Sequence, residues 1–247
     1  MLDVHPPHSP THTWKDFFIH IATICVGLLI AIGLEQTVEA IHHHHQRRDL
    51  EAQLHEEAQH NLSLVQGNIA RLEVQLAWEQ ASIVALNSAP VSAGRIPFSV
   101  IPPVGTVFDV GLFEPSQATW AVAKANGSVA LLPEEEAQVY ARLDHEGDLL
   151  QKGGIDLLQS LMQSRGAYDS RSGLPNSQSA WLSLDQRDAL VHTFADLRAH
   201  TRWVLILELN ERGACQGILQ GANSVDQMLQ FMLRDYSQYK AQHPQLF

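Results

Sequence analysis

The stretch KDFFIHIATICVGLLIAIGLEQTVEAIHHHHQRR, residues 15–48, decides the architecture. Within it, residues 17–34 form an apolar run that only His20 and Thr23 interrupt. A helix of this length rises roughly 27 Å, close to the hydrocarbon core of a bilayer. A cleaved signal peptide would need more positive charge ahead of the run than Lys15 supplies. It would also need a small-x-small site, which GLEQTVEAIHHHH does not provide. A buried core helix is the other alternative. We expect a transmembrane helix over residues 17–34, preceded by a Pro- and His-rich tail, residues 1–16, with Trp14 where an interfacial anchor belongs. The short tail and large C-terminal body predict a single-pass protein of the cell inner membrane, tail in the cytoplasm and body outside. The Lys and Arg bias across the run is weak, so the sizes of the two flanks carry this orientation.

One face of the run is not lipid-like. Asp16, His20, Thr23, Gly27, Ala31 and Glu35 recur at spacings of three or four and form one stripe. Its centre, Thr23, Gly27 and Ala31, is a small-xxx-small pattern that lets helices approach closely. His20, Thr23, Gly27, Ala31 and Glu35 are therefore the candidate packing residues, and a homo-oligomer the expected product. The plain alternative is that small residues are common in membrane helices.

Beyond the run, residues 35–88 contain no Pro and one Gly. Leu62, Val65, Ile69, Leu72, Leu76, Ile83 and Leu86 follow a near-heptad spacing, with Glu79 as the one break. This predicts a long helix, either in an antiparallel bundle or in a coiled coil between copies. Residues 89–115 are rich in Pro and Gly and predict an ordered loop, in which FSVI and TVFDV have the composition of brief strands. Helices are expected over residues 116–126, 133–165 and 183–238. Ser116 has the chemistry of an N-cap and Asn126-Gly127 that of a stop. Pro133 followed by Glu134, Glu135 and Glu136 marks a dipole-matched start, and Gly153-Gly154 a weak point. Ser183 with Gln186 makes a capping box. Gly213, Gly217 and Gly221 predict either a close helix contact or a break, with Ser224 available to cap a last piece. The fold class is all-α: one N-terminal transmembrane helix leading toward a long-helix bundle, with irregular loops.

VGLLIAIGLEQTVEA, followed much later by ATWAVAKANGSVALLPEEEAQVYARL, resembles a group of bacterial single-pass membrane proteins of unknown function. These have an N-terminal membrane helix ending in a short polar motif, then a helical extracytoplasmic domain. The positions carrying the likeness are Trp120, Lys124, Gly127 and Glu134, Glu135 and Glu136. The resemblance implies a fold and a topology for part of the chain, and no activity. The four-histidine run and the Pro/Ser-rich loop lie outside the pattern.

Of the 14 histidines, residues 42–45 are consecutive. Neighbours on a helix point 100° apart, but His42, His45 and Asp49 share a face. They are the candidate ligands for a divalent metal such as Zn²⁺, with a fourth ligand from another copy. The alternatives are contact with lipid headgroups when the imidazoles are protonated, or no specific role. His5, His8 and His12 form a looser cluster in the tail. The net charge is -11, of which -10 falls beyond residue 34, and this argues against nucleic acid as a partner. The chain carries no P-loop, dinucleotide fingerprint, zincin motif or nucleophile elbow, and its two cysteines make no disulfide framework. We therefore expect no enzyme and no required cofactor. The leading expectation is a membrane-anchored scaffold or accessory subunit, a homo-oligomer that contacts the lipid bilayer and another membrane or envelope protein. An extracytoplasmic sensor or small-ligand-binding module comes second, for which a ligand-sized apolar cavity in the bundle would speak. Histidine-based metal binding comes third.

Overall fold

The computed structural model describes residues 14–105, 107–109, 111–112, 114–172 and 181–247. The expectations for the irregular tail, its histidine cluster and part of the second polar loop lie outside these residues. The chain is all-α apart from one small strand pair. Helix α1 runs unbroken over Trp14–Ser88, 75 residues. It is followed by strand β1 (Arg95–Pro97), α2 (Ala118–Asn126), α3 (Glu134–Ser172), strand β2 (Trp181–Ser183), α4 (Leu184–Leu219) and α5 (Val225–Gln242). The chain divides into two units, residues 1–49 and 50–247.

In the first unit the apolar part of α1 is exposed along its whole length; this helix is long and apolar enough to cross a membrane. In the second unit, the rest of α1 packs with α3, α4 and α5. Asn68 meets Glu208, and Gln75 meets Thr201 seven residues further along α1 and seven earlier along α4, so these two helices are antiparallel. Leu72, Leu76, Leu157, Leu197, Leu205 and Leu209 belong to one core cluster and are almost wholly buried. Each such side chain contributes about 1.5–3 kcal/mol of transfer free energy. A second cluster joins Leu54 and Ala58 to Trp120, Tyr140 and Met228. A third gathers Trp78, Phe98 and Phe194 under the loop after α1, where the Trp78 indole donates to the Pro102 carbonyl at 3.2 Å.

Several local expectations are corrected. Residues 183–238 hold two helices, so of the two readings of the spaced glycines a break applies at the third and the last piece is separate. Gly221, at φ +83°, ends α4 in a conformation that only glycine enters at no steric cost. Ser224 then caps α5 through Gln227. Gly213 and Gly217 serve the other purpose: α5 lies so close that a Cβ on Gly213 would sit 2.6 Å from Met232 Cα. Helix α3 passes through Gly153-Gly154 without a break and continues to Ser172, seven residues past the expected end. The buried Gly153 lets Leu207 of α4 fill the space its side chain would take. Ser116 is not an N-cap, because α2 begins after Gln117. Its orphan amide at Thr119 is instead met by Glu57 of α1, which also accepts the Ser116 hydroxyl proton. The loop strand is Arg95–Pro97 rather than FSVI or TVFDV. It pairs antiparallel with Trp181–Ser183, placing buried Ile96 opposite buried Leu182. That partner is distant in sequence, so no local pattern points to it.

Candidate ligand-binding site

The core seam of α1 reads Asn61, Val65, Asn68, Leu72, Gln75, Glu79, Ser82 and Leu86, all buried and alternating by four and three. Every seventh residue of it, Asn61, Asn68, Gln75 and Ser82, is polar. The seam of α4 shows the same spacing, with Thr201, Glu208 and Cys215 seven apart and Glu211 between them. The two ladders bond to each other. Asn68 Nδ2 donates to Glu208 Oε1 at 2.8 Å, and Arg71 donates to Asn68 Oδ1 at 3.0 Å, fixing the amide's orientation. Gln75 Nε2 lies 2.9 Å from Glu79 Oε1 and 3.0 Å from Thr201 Oγ1. The single proton of the Thr201 hydroxyl is shared between Glu79 Oε1 at 2.8 Å and the Leu197 carbonyl at 2.9 Å.

These carboxyls are far from water. Burial pushes Glu79 up to about 7, against the pull of its bonds to Thr201 and Gln75. Burial lifts Glu208 to about 8, opposed by Asn68 and by the Arg71 charge. Burial also lifts Glu211 to about 8, assisted by Glu208 and Glu146. Glu146, on α3, is itself buried and pairs with Arg142. One oxygen on each of Glu79, Glu208 and Glu211, the Oε2 atom, is buried and has no hydrogen-bond partner. A neutral carboxylic acid costs less to bury than a carboxylate, which is why the proton stays.

Beside this seam is a cavity of about 440 Å³. One wall is α3 between residues 147 and 161, where Leu150, Leu157 and Leu161 are buried and Ile155 and Leu158 form an apolar rim. The opposite wall is formed by Gly111, Leu112, Glu114, Pro115 and Gln117, and Glu208 closes the inner side. Gln117 lies across Gly147 because glycine leaves that space empty. The volume and the lining, mostly apolar with a few polar groups, are those of a small-molecule site. A second, more polar groove of about 340 Å³ surrounds Tyr239. There Tyr239 donates to Glu73, His243 stacks on the Tyr239 ring at 4.4 Å, and Arg212 pairs with Asp235 at 2.9 Å. Its charged groups already satisfy one another.

The residues singled out from sequence lie elsewhere. His42, His45 and Asp49 are exposed on α1 and are not brought together. The His42 ring lies 2.9 Å from the Gln46 amide, and among the described residues no three His, Cys, Asp or Glu side chains form a metal set. Sharing one face of a lone helix does not converge side chains unless a second element supplies the missing ligand. His20, Thr23, Gly27, Ala31 and Glu35 are all exposed. Thr23 turns its hydroxyl back to the Ile19 carbonyl at 2.8 Å, and nothing lies within 4 Å of a Cβ placed on Gly27. Cys215 is buried, which raises its thiol well above the ordinary range, and Cys25 is exposed.

No family model, curated protein or solved structure matches this chain.

Asn68, Gln75, Thr201, Glu208 and Glu211 escaped a reading built on apolar residues alone. The signal was present as a seven-residue recurrence of polar side chains inside an otherwise apolar stripe.

Proposed function

We propose that this protein is anchored in the bilayer by residues 17–34 and that its bundle, on the extracytoplasmic side, binds a small, largely apolar molecule. The cavity beside Glu208 carries this reading. It has ligand size, an apolar wall and rim, and one buried acid with an oxygen, Oε2, that the protein leaves without a hydrogen-bond partner. The exposed apolar length of α1 supports the anchor.

Gly154 offers a clean test. It lines the cavity, sits inside α3, and has nothing within 4 Å of an added Cβ. Gly154→Leu fills the cavity while improving helix propensity by up to about 1 kcal/mol. Full-length wild type and variant, purified in mild detergent, are extracted and the retained small molecules identified by mass. Wild type is expected to retain a compound that the variant lacks; matching extracts would sink the reading.

A homo-oligomeric scaffold is the second reading, favoured by the open small-residue face at Thr23, Gly27 and Ala31. Its measurement is the mass of the full chain in mild detergent beside Gly27→Leu. A defined oligomer that the variant breaks supports it, and a monomer in both rejects it.

A further inference from the structure

The lining of the cavity has a one-sided charge. Glu114 and Asp148 stand exposed at its mouth and Glu208 is buried at its inner side, while among the described residues no Lys, Arg or His lines it. We infer that the ligand is an organic amine with an apolar body, its ammonium drawn in past Glu114 and Asp148 and paired at the inner end with Glu208. This rests on the cavity reading above and names the ligand class for it.

Three observations converge on an amine. Glu208 Oε1 is held by Asn68, so the side chain is positioned, yet Oε2 has no partner. That atom is shielded from solvent, and the last torsion of a glutamate is broad and roughly two-fold, so a small turn of the carboxyl presents an oxygen to the cavity without moving backbone. The charged groups that line the cavity's mouth, Glu114 and Asp148, are both acids; Glu146 on α3 is paired with Arg142, and the Arg71 charge on α1 acts on Glu208 from behind Asn68. The remaining contacts, Leu150, Leu157 and Leu161, suit hydrocarbon. A neutral ligand would draw no carboxylate from Glu208, and an anion would be repelled at the mouth by Glu114 and Asp148.

The exchange balances in charge. Free Glu208 holds its proton at neutral pH because burial lifts it to about 8. An entering ammonium stabilises the carboxylate, and the proton leaves to solvent, so the ion pair replaces a neutral acid. A neutral ligand of the same shape releases no proton.

The test is calorimetry on the full chain in mild detergent at neutral pH, in two buffers of different ionisation enthalpy. The probes are cycloalkyl amines from cyclohexylamine to 1-adamantylamine, beside the matching alcohols, with Gly154→Leu as the blank for partition into micelles. The expected result is amine binding with release of about one proton per amine, and weakening of about tenfold or more in Glu208→Gln, the alcohols being unaffected by the substitution. Proton release by the wild-type chain decides the matter if the variant fails to fold. Amines and alcohols binding alike, with no proton released, would overturn the amine assignment and leave the cavity reading standing. No binding by any member of either series would remove both.

Discussion

Between about pH 5 and about pH 8.5 the bundle is expected to lose stability toward urea, and Glu211→Gln to remove a large share of that loss, on the order of 3 kcal/mol. The cause is the set of buried acids. Glu79, Glu208 and Glu211 titrate in the fold at about 7, 8 and 8, against 4.5 for an ordinary glutamate. In that interval the folded chain holds protons that the unfolded chain has released. Their favourable contribution is complete below 4.5, falls as pH rises, and is gone once pH passes the folded values. The slope is about 1.4 kcal/mol per pH unit for each proton held. Glu211 is the most informative of the three, because among the described residues it accepts no strong bond; the Cys215 thiol lies 4.0 Å from its Oε1. Urea midpoints across the pH range for wild type and variant are the measurement. Parallel curves would show that Glu211 does not hold its proton.

The second large effect is steric. Gly213→Ala is expected to destabilise the bundle by about 2–3 kcal/mol, although alanine is the better helix former. Its Cβ would stand 2.6 Å from Met232 Cα and 3.1 Å from Met232 N, which are backbone atoms with no rotamer to give way. The two helices must part, and the Arg212–Asp235 pair next to the contact parts with them. Gly166→Ala is the counter-case. That residue is exposed in α3 with nothing within 4 Å, so the same change is expected to stabilise by about 1 kcal/mol. Opposite shifts in the denaturation midpoint support the close α4–α5 approach, and shifts of the same sign argue against it.

The helical architecture was readable because its signals are local. The capping box at Ser183 and Gln186 is present, with Gln186 N donating to Ser183 Oγ at 3.2 Å. Gly127 closes α2 at φ +79°. What was not readable depends on partners far along the chain. Glu79 looked like a defect in an apolar stripe, and only Thr201 on another helix explains it. Three glycines spaced by four gave no way to tell a contact from a stop, and here two make the contact and the third the stop. The cavity was invisible for the same reason, since its walls come from α3, α4 and a loop whose packing no periodicity describes. The histidine run attracted notice by its composition, but composition cannot supply a facing ligand.

The two polar ladders also govern how α1 can travel along α4. A slide by one helical turn, about 5.4 Å, separates Asn68 from Glu208 and Gln75 from Thr201 in a single motion. Each group left without a partner costs about 1–3 kcal/mol, and all are lost together. Only a slide of a whole heptad, about 10.5 Å, sets an amide, Gln75 or Asn61, opposite Glu208 again. The helix pair is therefore indexed like a pawl on a coarse rack. It rests firmly at its stop, resists gradual creep under load, and moves, if driven, in one long notch.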